Sequence, residues 1–83
     1  MIYRIVWETN ATNAAVRFLK EDPAGLAAAY EAVDALAETP RPLTTSIPYG
    51  PDFRRLRVGE YRVLYAVDDD VIRILVTHLG RMA

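Results

Sequence analysis

The sequence predicts an α+β domain: a four-stranded, mainly antiparallel sheet with an αα-hairpin on one face, in the order β-α-α-β-β-β. Three observations predict it. β-formers crowd residues 2–8 and 54–77. Apolar residues recur at helical spacing through residues 11–38, with Asp22-Pro23 dividing that stretch. A Gly59-Glu60 pair interrupts a run of alternating side chains, which signals a tight hairpin.

Each element follows in order. Ile2 to Glu8 reads as a strand in which Tyr3, Ile5 and Trp7 alternate with Ile2, Arg4 and Val6. Both of its faces are largely apolar, so it is expected to be central or covered on both sides, with Arg4 solvated. Thr9 and Asn10 suit the N-cap of a first helix over Ala11 to Lys20, with Ala11, Ala15, Phe18 and Leu19 on one stripe. Asp22 as cap and Pro23 at the first helical position then start a second helix, which is expected to reach Glu38. Its stripe is Leu26, Ala29, Tyr30, Val33, Leu36 and Ala37.

Thr39 to Asp52 contains four of the five prolines and no periodicity, so it reads as a long loop. Within it, Tyr49 either caps the core or stands ready to stack on a base. Arg54 to Val58 and Tyr61 to Val67 form the hairpin, with glycine at the first turn position as a type II′ turn requires. Asp68-Asp69-Asp70 is a solvated turn, and three adjacent aspartates without further ligands make no calcium loop. Val71 to Thr77 is the last strand, and His78 to Ala83 is an exit tail.

The chain of 83 residues is one domain, 1–83, without internal repeats. A domain of this size buries only about 60% of its unfolded surface, so its stability margin is thin and a partner chain would help. There is no cysteine, hence no disulfide framework and no thiolate metal site. Neither a leader peptide nor an apolar run of membrane-spanning length is evident, and a cytoplasmic protein is expected.

Charge is unevenly spread. The chain is formally −1, yet residues 53–65 hold Arg54, Arg55, Arg57 and Arg62 against a single acid, Glu60. With the Gly59-Glu60 turn, Val58 pairs with Tyr61, Arg57 with Arg62, Leu56 with Val63, Arg55 with Leu64 and Arg54 with Tyr65. One face then carries Arg54, Leu56, Val58, Tyr61, Val63 and Tyr65, and suits the helices, with Arg54 at its margin. The other carries Arg55, Arg57, Arg62 and Leu64. Like charges directly opposite each other are destabilising, so folding alone does not select Arg57 against Arg62. Glu60 could relieve the repulsion; a bound polyanion relieves it better. Nine of the ten basic residues are arginine, whose planar fork grips phosphate with two bonds. With one histidine, one serine, no cysteine and no glycine-rich loop opening a helix, the usual metal sites and nucleophile triads are set aside. Arginine, tyrosine and one histidine do suffice for cleavage of RNA, which carries its own nucleophile in the 2′-OH.

The element order, the segment LRVGEYRVLYAVDDD and the later ILVTHLGR resemble the RelE/ParE toxin superfamily, and most of all its RelE branch. The closest part of the match is Arg57 to Tyr65, and the likeness extends over essentially the whole chain. It implies a RelE-like (microbial RNase-like) fold and a toxin that enters the ribosome and cuts mRNA by 2′-OH attack, without metal or other cofactor. It implies a cognate RelB-like antitoxin, which wraps the toxin with a segment that orders on binding, and contact with DNA only indirectly through that complex. Carried over, Arg62 matches the catalytic arginine after the glycine turn, Arg54, Arg55 and Arg57 match RNA-binding basic positions on the preceding strand, and Arg81 matches an arginine just after the last strand. Many RelE toxins continue to a tyrosine that this sequence, ending at Ala83, does not show. His78 or another tyrosine is expected to substitute, or the enzyme is weak, or the ribosome supplies more. The ParE branch, which poisons DNA gyrase, and a catalytically inert antitoxin-binding module are the alternatives.

Overall fold

The structure is a computed structural model that describes residues 1–82. Its elements are β1 (Arg4–Trp7), α1 (Thr9–Glu21), α2 (Pro23–Ala35), β2 (Ser46–Tyr49), β3 (Phe53–Val58), β4 (Tyr61–Asp68) and β5 (Arg73–Arg81). The expected α+β architecture is present, with one strand more than predicted. The sheet has five strands in the order β1-β5-β4-β3-β2, antiparallel except where β1 runs parallel to β5. No helix is long and apolar enough to cross a membrane.

The helices pack on one face of the sheet. Ala11, Ala14 and Phe18 from α1 meet Leu26, Ala29 and Val33 from α2 and, just beyond it, Leu36, over Leu56, Tyr61, Val63, Tyr65, Ile74, Val76 and Leu79. Fully burying a Leu, Ile or Val side chain contributes about 1.5–3 kcal/mol, so these contacts fix which side of each strand faces in. Tyr61 and Tyr65 are both core residues, 3% and 0% exposed. Asp22 does cap α2, accepting from the Gly25 amide at 3.2 Å, with Pro23 in the first turn. Gly25 leaves room for that cap: a Cβ there would push the Asp22 carboxylate aside.

Several boundaries differ from the sequence reading, each for a local reason. β1 is an edge strand, paired only with β5. α1 begins at Thr9 after Glu8, without a side-chain cap. Asn10 instead donates to the Thr77 carbonyl at 2.9 Å. α2 ends at Ala35, and its last carbonyls are taken by the amides of Leu36 to Thr39 in tightening turns. Ser46 to Tyr49, read as loop, is the outer strand β2; its proline at position 48 is tolerated because the strand lies at the sheet edge. The aspartate turn is tied down. Tyr3 Oη and Arg41 both donate to Asp69, at 2.6 and 2.9 Å, and Asp68 accepts from the amides of Asp70 and Val71. Val71 and Ile72 belong to that turn, where Ile72 takes a positive φ of 54°.

The last strand does not stop at Thr77. It continues through Arg81, so His78 to Arg81 of the supposed exit tail are sheet; Ala83 lies outside the described residues. A β-bulge lies on the way: Tyr65 pairs with Val76 but Leu64 pairs with His78, leaving Thr77 as the extra residue.

Candidate functional site

The β3–β4 hairpin has the register read from the sequence, with Arg57 opposite Arg62 and Arg55 opposite Leu64. Gly59 supplies the positive φ, 57°, that its turn needs. On β5, Gly80 lies opposite Arg62 and His78 opposite Leu64. Strand alternation therefore gathers Arg55, Arg57, Arg62, Leu64 and His78 on the face away from the helices. On β2 the same face carries Ile47 and Tyr49. Arg55, Arg57 and Arg62 line a cleft of about 180 Å3 together with Thr44, Thr45 and Ile47.

The electrostatics of this cleft are one-sided. Among the described residues no carboxylate pairs with Arg55, Arg57 or Arg62. Arg62 is braced by backbone instead, its Nη1 donating to the carbonyls of Gly59 at 2.8 Å and Tyr61 at 2.9 Å. Arg55 lies over the ring of Tyr49, 5.6 Å from its centroid. His78 is exposed, and it reaches beside the cross-strand partner of Arg62. A Cβ on Gly80 would stand 3.2 Å from His78 Nε2.

Two predicted site residues are not brought here. Arg54 turns to the helix side, where Nε donates to Ser46 Oγ at 2.8 Å and Nη2 to the Ser46 carbonyl at 3.1 Å. Ser46 in turn meets Tyr65 Oη at 2.6 Å, and Tyr65 donates to the Pro40 carbonyl at 2.8 Å. Arg81, opposite Tyr61, also faces the helices. It pairs with Glu21 at 3.4 Å and Asp22 at 3.8 Å and lies over the ring of Phe18 at 5.3 Å. The Tyr61 oxygen beside it pushes the Arg81 guanidinium further up from its ordinary value, and the charges of Glu21 and Asp22 add to this.

Of the two readings of Tyr49, the core cap is excluded: the residue is 48% exposed beside Arg55. Sequence reasoning missed one feature. On the opposite side of the molecule, Leu19 and Tyr30 were assigned to packed stripes, yet they are 52% and 53% exposed. With Trp7, Val16 and Leu26 they line an apolar groove of about 480 Å3, where Trp7 and Tyr30 stack at 6.0 Å. The signal was present in α1: Ala15, Val16 and Leu19 together make the apolar arc wider than one stripe can bury.

A helical hairpin over a five-stranded mixed sheet is the architecture of RelE-like toxins, and solved structures match it over nearly the whole chain. The toxin–antitoxin complex RelBE2 from Mycobacterium tuberculosis is 25% identical, with a TM-score of 0.80 over 98% of this chain and 99% of that one. The archaeal RelE–RelB complex from Pyrococcus horikoshii gives 24% and 0.79, covering 98% and 96%. The YoeB/ParE toxin from Agrobacterium tumefaciens gives 16% and 0.80, covering 96% and 99%. No curated protein matches the chain. The sequence-family model for the ParE toxin of type II toxin-antitoxin systems (parDE) matches residues 1–83, and the chain belongs to that family, within the RelE/ParE superfamily.

Proposed function

We propose that this toxin is a ribosome-dependent mRNA endoribonuclease. The observation that carries the reading is the convergence of Arg55, Arg57 and Arg62 on one cleft where no carboxylate among the described residues pairs with them. In the proposed reaction the RNA 2′-oxygen attacks the adjacent phosphorus. The 2′-O–P bond forms, the P–O5′ bond breaks, and the products are a 2′,3′-cyclic phosphate and a 5′-hydroxyl. Arg62, already oriented by two carbonyls, stabilises the charge that builds on the phosphoryl oxygens. Arg55 and Arg57 hold the RNA backbone. His78, the one imidazole on this face, serves proton transfer: it accepts the 2′-OH proton or donates to the departing 5′-oxygen. Arg54 and Arg81, bound on the helix side, hold structure rather than phosphate.

A RelB-like antitoxin is the partner we assign. Two of the solved relatives are complexes with antitoxins. The groove along Val16, Leu19 and Tyr30 suits the apolar face of an amphipathic antitoxin helix, and contact with DNA would come only through that complex. Action on translating ribosomes would place the toxin in the cytoplasm.

The match to the ParE toxin model favours the ParE branch, and with it a second reading, a DNA gyrase inhibitor. Expression in cells followed by primer extension on translated mRNA separates the two. Codon-phased cuts that vanish in Arg62→Ala are expected. Intact mRNA with DNA cleaved in gyrase complexes would establish the second reading. Absence of toxicity with tight antitoxin binding would identify an inert module.

A further inference from the structure

The end of the basic face next to Arg55 carries two exposed aromatic rings. Tyr49 on β2 and Phe53 on β3 are cross-strand partners, 48% and 40% exposed. Both share the face of Arg55 and Arg57 by strand alternation. Neither packs into the core cluster, and among the described residues the Tyr49 hydroxyl has no hydrogen-bond partner. Burial therefore does not explain them. The backbone that carries them is well defined, because a short turn with Gly50 at φ 75° joins the two strands directly beyond the pair. Arg55 lies over Tyr49 at 5.6 Å, and it also lines the cleft with Arg57 and Arg62, so one side chain joins the rings to the arginine-lined cleft. Ile47, 50% exposed, continues the apolar surface between them.

Exposed aromatics beside a basic groove are the arrangement that holds unpaired bases. The rings stack on a base's flat face while arginines track the backbone, and sequence preference is weak because every base has such a face. We propose that Tyr49 and Phe53 form a base-stacking platform for single-stranded RNA, seating the base of the nucleotide next to the phosphate held by Arg55, Arg57 and Arg62. The platform rests on the endoribonuclease reading above and adds a binding subsite to it. Its work is positional: a seated base restricts the backbone and brings the reacting phosphate to Arg62.

The test uses the full chain on purified ribosomes programmed with a defined mRNA, with single-turnover cleavage followed against toxin concentration. Tyr49→Phe keeps an aromatic face and is expected to cut as the unaltered chain does. Tyr49→Leu keeps apolar bulk but loses the ring. It is expected to raise the half-saturating concentration about five- to a hundred-fold, the range of one base–aromatic stack, and Tyr49→Leu with Phe53→Leu to raise it further. An mRNA with an abasic site at the nucleotide beside the cut should show the same loss with the unaltered chain and no additional loss with the doubly substituted one. Thermal unfolding of each variant is expected to match the unaltered chain, because both rings are exposed. If the leucine variants cut like the unaltered chain while Arg62→Ala does not, the platform is overturned and the endoribonuclease reading stands. If the unaltered chain cuts no mRNA on ribosomes, both are overturned.

Discussion

Replacing Arg57 by glutamine separates what the basic face does for folding from what the proposed function asks of it. Arg57 is exposed, directly opposite Arg62, and makes no side-chain hydrogen bond or ion pair with a described residue. Its removal therefore breaks nothing and ends a like-charge contact. Cross-strand charge pairs are worth about 0.2–1 kcal/mol. Arg62 is drawn toward the turn by the Gly59 and Tyr61 carbonyls, which places the repulsion in the lower part of that range. A gain of about 0.3 kcal/mol corresponds to a rise of roughly 1–2 °C in melting temperature for a domain this small. The gain should be largest at low salt and gone near 1 M, where the screening length falls to about 3 Å. Ribosome-dependent cleavage should weaken, and any measurable affinity for single-stranded RNA should lose about 0.7 from its log–log salt slope. Urea unfolding at low and high salt, beside single-turnover cleavage, reads both effects. A destabilised Arg57→Gln, or a gain that persists in 1 M salt, would refute the argument that charge here opposes the fold.

Other substitutions test the supports of the site. Tyr65→Phe leaves the Pro40 carbonyl without its donor and the buried Ser46 hydroxyl with Arg54 as its remaining partner, so a loss of about 1–3 kcal/mol is expected as a lower urea midpoint at unchanged slope. Gly80→Ala places a Cβ 3.2 Å from His78 Nε2; cleavage should fall through displacement of the imidazole while the melting temperature holds. The Asp69 carboxyl lies below its ordinary value because Tyr3, first, and Arg41 donate to it. A lowered folded-state pKa stabilises above the unfolded value and loses that contribution as pH falls through the folded one. Melting temperature against pH should accordingly show a shallower acid limb in Asp69→Asn than in the unaltered chain.

The hairpin was legible because two local rules agree on it. Gly59 allows one turn position, and alternation from Leu56 to Tyr65 allows one register that buries the apolar set. The capped start of α2 was legible in the same way, from Asp22 and Pro23 alone. β2 was not, because Pro48 speaks against a strand and only the neighbouring β3 makes Ser46–Tyr49 extend. Leu19 and Tyr30 look like core from their spacing; that they instead line an open groove beside Trp7 is a property of the packed molecule.

The largest difference concerns Arg81 and His78, and one residue accounts for it. Alternation carried straight on from Ile74 and Val76 would turn His78 and Gly80 toward the helices and Arg81 outward, beside Arg62. Thr77 is inserted as a bulge, so Leu79 is buried instead, and the two faces exchange occupants. The bulge is held at two of its polar groups: the Thr77 hydroxyl donates to the Leu64 carbonyl at 3.2 Å, and its carbonyl accepts from Asn10 at 2.9 Å. Arg81 then meets Glu21 and Asp22 and fastens the strand end to the helices. His78 takes the outward place. Without the bulge the open face would gain a fourth arginine and lose its imidazole; with it, Arg55, Arg57 and Arg62 share that face with His78. The spacing Ile74, Val76, Leu79 was the trace of this in the sequence, two steps of two and three where an unbroken strand would show two and two.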